Sequence, residues 1–285
     1  MKKRPQRVAI NCFGFILAAG LAVLTVPLRA GEVFQEDFEE GWANDPETKQ
    51  LGPDGGWPSN WAFRGKQSAA FWSVVDSGGP QKKVFEFKGG SFNGGWWIAA
   101  AQHDVVCPSG KTLQLDGWIR EAETPLGAED VAYLWLSTLE QNGYGITVRR
   151  SNRCEGPPQK INDGNNYAGI FKFRDSTVKF GEQRTPGWTN LKGDLPDAHT
   201  IVESASDEYL HFFLRLKQTA NGTPVEIALY YNTTDSSPVM TWTDDGKQFG
   251  DVIDLENLTW VGITAENGKI PHPIQFDAIR VGVIP

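Results

Sequence analysis

The sequence predicts an all-β protein, a two-sheet antiparallel jelly-roll sandwich, and three observations carry that prediction. Apolar runs of five to ten residues, rich in aromatic and β-branched side chains, recur along the chain without any long helical period. Gly, Pro, Asn and Asp punctuate them, as at Gly78-Gly79-Pro80, Gly89-Gly90 and Asn267-Gly268. Thirteen such runs follow one another with no helical spacer, which argues for stacked antiparallel sheets rather than a parallel α/β sheet.

In chain order the predicted strands are Val33–Phe38, Ala69–Val75, Lys83–Lys88, Trp96–Ala101, Leu113–Arg120, Val131–Leu139 and Tyr144–Arg150. They continue with Tyr167–Arg174, Tyr209–Gln218, Pro224–Tyr231, Val239–Thr243, Trp260–Ala265 and Ile274–Val283. Gln141-Asn142-Gly143 and Ala220-Asn221-Gly222 mark hairpins, because Asn and Gly tolerate positive φ in tight turns. Asp194–Asp207 is the one stretch that reads as a short helix or a long loop. Trp96-Trp97 cannot both point inward on a regular strand.

Residues 1–30 read as a signal peptide, leaving residues 31–285 as a single sandwich domain. Lys2, Lys3, Arg4 and Arg7 precede an apolar stretch from Val8 to Val26, and Leu28-Arg29-Ala30 before Gly31 offers a cleavage site. An uncleaved anchor is the alternative, since the stretch just reaches membrane-spanning length. Either way the bulk of the chain is expected outside the cytoplasm, secreted or periplasmic. The segment holds five of the 27 Lys and Arg and none of the 35 acids, so the remainder carries 22 against 35, net −13. A chain this acidic repels phosphate backbones, which disfavours nucleic acid and anionic membranes as partners. Of three cysteines Cys12 lies in the leader, and in an oxidising compartment the remaining Cys107 and Cys154 are expected to pair.

Period-two reading separates the faces of the strands. Leu113, Leu115 and Ile119 alternate with Gln114, Asp116, Trp118 and Arg120. Leu134 and Leu136 alternate with Tyr133, Trp135 and Ser137. Leu210, Phe212, Leu214 and Leu216 oppose Tyr209, His211, Phe213, Arg215 and Lys217. The aliphatic faces must pack inward. The opposite faces combine flat rings with carboxylate, guanidinium and imidazole, the chemistry that stacks on sugar C–H surfaces and bonds hydroxyls. The expected ligand-binding set is therefore Trp118, Trp135 and Tyr133 for stacking, with Asp116, Arg120, His211 and Arg215 for hydrogen bonds. Ordinary packing under covering loops is the alternative for the same rings.

Glu36-Asp37-Phe38-Glu39 with Gly41-Trp42 resembles the first strand of concanavalin A-like lectin/glucanase sandwiches. Ile274-Gln275-Phe276-Asp277-Ala278-Ile279-Arg280-Val281 resembles their closing strand, which pairs with the first, and Trp260-Val261-Gly262-Ile263-Thr264-Ala265 resembles the strand before it in laminin-G-like members. The resemblance implies a jelly roll over residues 33–283 and a carbohydrate partner. It does not choose among lectins, sugar-binding modules, glycosidases and lyases.

No catalytic motif stands out. Retaining glucanases of this fold carry Glu-x-Asp-x-x-Glu on one strand, and no glutamate here has Asp two residues later. Alginate-lyase-like sandwiches use Arg, Gln, His and Tyr. Here Gln102-His103 and Tyr209-x-His211 echo pieces of that set without the full motifs, leaving His211 with Tyr209 or Tyr144 as acid/base candidates of a diverged enzyme. A non-catalytic envelope module is the third reading. No cofactor is required, although calcium stays open through the oxygen-rich loops Asn162–Asn166, with Asp163 and Asn165, and Asp244-Asp245-Gly246. Turn chemistry explains both loops without an ion. The sequence leaves the oligomeric state undetermined.

Overall fold

The computed structural model describes residues 31–51, 56–64, 71–76, 80–88, 95–121, 131–139, 142–150, 166–173, 199–202, 208–247, 250–267 and 273–285. These form fifteen strands: β1 (Glu32–Glu36), β2 (Trp61–Arg64), β3 (Trp72–Asp76), β4 (Lys83–Lys88), β5 (Gly95–Val105), β6 (Thr112–Glu121), β7 (Val131–Thr138) and β8 (Gly143–Arg150). The rest are β9 (Asn166–Phe173), β10 (His199–Val202), β11 (Leu210–Gln218), β12 (Val225–Tyr231), β13 (Met240–Asp244), β14 (Leu258–Asn267) and β15 (Pro273–Ile284). All thirteen expected strands are present. Two more, β2 and β10, are four residues long, and β10 occupies His199–Val202 within the stretch Asp194–Asp207 expected as a helix or loop, the rest of which lies outside the described residues.

The strands build two antiparallel sheets. One runs β13-β12-β11-β6-β15-β4-β3 with β1 also on β15, and the other runs β10-β9-β8-β7-β14-β5-β2. β15 is shared along its length: its first half pairs β4 and its second half pairs β1. The handover falls at a bulge between Asp277 and Arg280, where Ala278 takes a positive φ of 46°. The first and last strands therefore close the same sheet, as the resemblance implies.

The aliphatic strand faces meet between the sheets. Leu113, Leu115 and Ile119 of β6, with Phe212, Leu214 and Leu216 of β11, are fully buried. So are Leu134 and Leu136 of β7, Ile146 and Val148 of β8, and Val261 and Ile263 of β14. The sheets press closely at Gly117, where a Cβ would lie 2.9 Å from Leu134 Cδ2.

An aromatic block fills one end of this interior. Phe38 stacks on Phe85 at 4.9 Å between centroids, Trp72 stacks on Phe85 at 4.7 Å, and Trp42 meets Trp61 edge-on at 5.1 Å. Glu36 is sunk in it. Its carboxylate accepts the Trp42 and Trp61 indole N–H groups, each at 3.1 Å, and the Phe38 amide at 2.8 Å. Burial outweighs those three donors and pushes the carboxyl up to about 7. The opening Glu-Asp-Phe-Glu motif is thus a packing and capping device.

The hairpins obey turn chemistry in one case and sterics in the other. Gly222 carries φ +71° in the β11–β12 turn, where Thr223 N donates to Ala220 O. Gly143 instead lies within β8, paired with Ser137 and Phe173, and a Cβ there would meet the Phe173 ring at 2.5 Å.

Candidate functional site

The outer face of the eight-stranded sheet carries one connected set of rings and planar polar groups. On β6 and β11, Trp118 lies opposite His211 and Asp116 opposite Phe213. The Trp118 and His211 rings stack at 4.2 Å with 16° between planes, and Phe213 follows at 4.1 Å from His211. His211 Nε2 sits 3.1 Å from Asp116 Oδ1, so the ring is fixed both by a carboxylate and by its neighbours. Gln114 donates to Asp116 Oδ2 at 3.4 Å and accepts Arg215 Nε at 3.0 Å, while the Arg215 guanidinium covers the Tyr230 ring at 4.9 Å. Trp118, His211, Phe213, Arg215 and Tyr230 are all partly exposed.

A second group continues the face across β15. Arg120 Nη1 and the Tyr209 hydroxyl both donate to Gln275 Oε1, at 3.2 and 2.8 Å, and Arg120 lies over the Tyr209 ring at 5.5 Å. Gln275 Nε2 donates to Glu86 Oε2 at 2.6 Å, and Lys88 pairs with the other Glu86 oxygen at 3.0 Å. Below the bulge Asp277 is buried and accepts the Gln81 amide at 2.8 Å. Burial, with the nearby charges of Glu39 and Asp37, pushes its carboxyl up to about 6. Charge-assisted and amide hydrogen bonds thus hold these polar groups in fixed positions.

Five of the seven residues expected on the ligand face, Asp116, Trp118, Arg120, His211 and Arg215, share this surface. Trp135 and Tyr133 do not. They project from β7 onto the outer face of the other sheet, where each is 1% exposed. There they belong to a separate apolar cluster with Ile98, Ala100, Phe171, Phe173 and Trp260. The Trp135 ring lies flat over Gly262, where a Cβ would come within 2.1 Å, and its indole N–H donates to Thr264 at 3.0 Å. Both rings are packing elements rather than surface.

The acid/base candidate Tyr144 is corrected in the same way. Tyr144 points between the sheets, fully buried, with its hydroxyl 2.5 Å from Asp244. Asp244 also pairs with the buried Lys172 ammonium at 2.5 Å, so its carboxylate is neutralised from within, and Asp245 pairs with Lys247. The Asp244-Asp245-Gly246 loop is therefore organised by cations of the chain itself and by a turn at Gly246, whose φ is +77°. Among the described residues, no group of three or more His, Cys, Asp or Glu is placed to hold a metal. Cys107 is a free, buried thiol in the structure, its Sγ facing the Pro108 and Lys111 carbonyls at 3.8 and 3.7 Å, while its expected partner Cys154 lies outside the described residues. Cys154, Asp163, Asn165 and residues 1–30 lie outside the described residues.

Gln275, Glu86 and Tyr230 were not singled out by sequence. Glu86 and Tyr230 sit on strands whose own pattern is unremarkable, and only the pairing of β15 with β6 and β4, and of β12 with β11, brings the three to the site. The alternation Ile274-Gln275-Phe276-Asp277, polar at every second position, was the available signal.

No family model matches the sequence, and no curated protein matches it. Solved structures similar to the chain include an endo-1,3-beta-glucanase from Streptomyces sioyaensis, at 14% identity and TM-score 0.49, covering 90% of this chain and 98% of that one. Peanut lectin aligns at 8% identity and TM-score 0.44, covering 88% and 98%. The metal-free Emp46p carbohydrate recognition domain aligns at 10% identity and TM-score 0.45, covering 79% and 90%. The chain itself is a two-sheet antiparallel β-sandwich. Among the described residues no helix is long and apolar enough to cross a membrane.

Proposed function

We propose that this protein is an exported carbohydrate-binding sandwich whose ligand lies on the outer face of the eight-stranded sheet. The observation that carries the reading is the partly exposed Trp118–His211–Phe213 column, flanked by polar groups already fixed by their own hydrogen bonds. Apolar ring surface beside planar donors and acceptors suits a pyranose, which presents C–H patches and equatorial hydroxyls together. Groups held in place before binding lose little conformational entropy when a ligand arrives. Export rests on the charged and apolar character of residues 1–30.

The test is a glycan-array screen of residues 31–285, run with calcium and with chelator. Binding to a poly- or oligosaccharide that weakens at least tenfold in Trp118→Ala, with an unchanged circular dichroism spectrum, is expected. Binding that survives the substitution would remove the stacking role. Absence of binding to every glycan would leave a structural module of the envelope, and calcium dependence would return attention to Asp163 and Asn165. Signal processing is checked by N-terminal sequencing of the secreted product, which should begin at Gly31.

One arrangement favours a second reading. Arg120, Gln275, Tyr209 and His211 stand on the same face, with Tyr209 and Arg120 joined on one Gln275 oxygen. In a lyase, cationic and amide groups neutralise a uronate carboxylate while a basic side chain removes the adjacent ring proton and the glycosidic oxygen departs by elimination. Ultraviolet absorbance of an unsaturated product on a panel of polyuronates, lost in Tyr209→Phe, separates this enzyme from the binding protein.

A further inference from the structure

The mouth of the sandwich beside the β7–β8 hairpin holds a cavity of about 580 Å³ that none of the residues above enters. Thr138, Leu139 and Asn142 line it together with Val252, Ile253, Asp254, Glu256 and Asn257. Its volume falls in the ordinary range of small-molecule sites. Two carboxylates in its wall are each anchored through one oxygen. Asp254 Oδ1 accepts the Gly222 amide at 2.6 Å and Gln218 Nε2 at 3.0 Å, and Glu256 Oε1 accepts the Asn221 side-chain amide. These bonds come from the end of β11 and the β11–β12 turn, so a separate segment fixes both acceptors.

The rest of the wall completes a recognisable chemistry. Leu139 is 58% exposed beside the partly buried Val252, an apolar strip at the rim. Thr259 also lines the cavity, its hydroxyl oxygen itself buried and without a hydrogen-bond partner among the described residues. No Lys or Arg lines the cavity among the described residues.

From these features we infer that the cavity is a second carbohydrate subsite, taking a neutral sugar residue with its hydroxyls on Asp254 and Glu256 and a C–H face on Leu139. Hydroxyls donating to fixed carboxylates form charge-assisted bonds, while the same two charges repel a uronate or sulfated sugar. The site lies at the end of the strands and is independent of the Trp118 face.

The experiment is ligand-observed saturation-transfer NMR on residues 31–285 with glucose, galactose, mannose, N-acetylglucosamine, glucuronate and galacturonate as probes. At least one neutral sugar is expected to receive saturation and the uronates none. Its affinity should fall at least tenfold in both Glu256→Ala and Asn257→Ala and stay within twofold in Trp118→Ala. Glu256 and Asn257 are exposed, so both variants should fold, and Glu256→Gln tests the charge alone should the alanine variant not. Binding lost in Trp118→Ala but kept in the Glu256 and Asn257 variants overturns the cavity site and leaves the sheet-face reading standing. Preference for the uronates, or no saturation of any neutral sugar, overturns it as well.

Discussion

Glu36 concentrates the chemistry of this molecule in one side chain. It is a carboxylate inside an aromatic block, held by two indoles and one amide, with its acidity weakened by burial from 4.5 to about 7. Below pH 4.5 the group is protonated in the folded and unfolded chains alike, and its contribution to stability is fully present. Between 4.5 and 7 the unfolded chain releases the proton while the folded chain keeps it. Stability therefore falls as pH rises through this window and levels off above 7. A shift of this size corresponds to roughly 3 kcal/mol. Asp277, pushed from 3.8 to about 6, acts in the same direction. Urea unfolding at pH 5 and pH 8 should show the native chain weaker at pH 8, and Glu36→Gln should remove most of the difference. An equal loss in both proteins would place the effect elsewhere. The Trp42 and Trp61 indoles supply a second readout, since their fluorescence should change with a midpoint near 7 and stop doing so in Glu36→Gln.

At the scale of elements, the outer face of the second sheet is paved by rings laid across glycines. The row Phe171, Gly145, Trp135, Gly262, Ala100 runs over β9, β8, β7, β14 and β5, large beside small. A Cβ at Gly262 would sit 2.1 Å from the Trp135 ring, which is pinned by Thr264 and cannot swing away cheaply. Gly262→Ala should cost about 2–4 kcal/mol by overpacking, read from chemical denaturation, and a cost below about 0.5 kcal/mol would show the ring free to move. The second latch is ionic. Lys172 on β9 reaches Asp244 on β13 and the carbonyls of Gly250 and Asp251 at 3.0 and 2.9 Å, tying the two sheets at one end. Lys172→Met strands a buried carboxylate and should cost about 3–5 kcal/mol, with Asp244→Asn in the same chain recovering part of it. Additive losses would mean that the pair is not coupled. This level was only half legible in the sequence. Alternation told which side of β6, β7 and β11 faces the core, but it cannot say which sheet a strand joins, so Trp118 and Trp135 looked like neighbours. The laying of a ring over a glycine depends on cross-strand register, which no single strand encodes. β2 and β10, four residues each, are too short to show a period at all.

At the scale of the whole molecule, neighbours in space are remote in sequence. β6 lies between β11 and β15, β14 lies between β5 and β7, and β1 closes on the last strand. A fold of this kind gains little stabilisation until distant segments meet, so its folding should be slow and its unfolding cooperative. The closing pair was legible because both ends carry a distinctive motif, Glu36-Asp37-Phe38 and Phe276-Asp277-Ala278. The reason for those motifs was not, since it lies in burial: Glu36 and Phe38 complete the aromatic block, and Asp277 caps the strand handover by taking the Gln81 amide. Among the described residues the pairing starts at Gly31, whose carbonyl accepts the Val283 amide at 2.7 Å. Residues 31–285 alone should therefore give a single cooperative thermal transition. Starting instead at Gly41 removes β1, the Glu36 clamp and the Phe38–Phe85 stack. It also leaves the Trp42 and Trp61 indoles without their acceptor and exposes the second half of β15 as an unpaired edge. Removing a whole strand and part of the core at once outweighs the roughly 5–15 kcal/mol that holds a domain of this kind folded. The shorter chain should show no cooperative transition by calorimetry and should aggregate. A sharp transition close to that of the longer chain would mean that the sandwich is closed without its first strand.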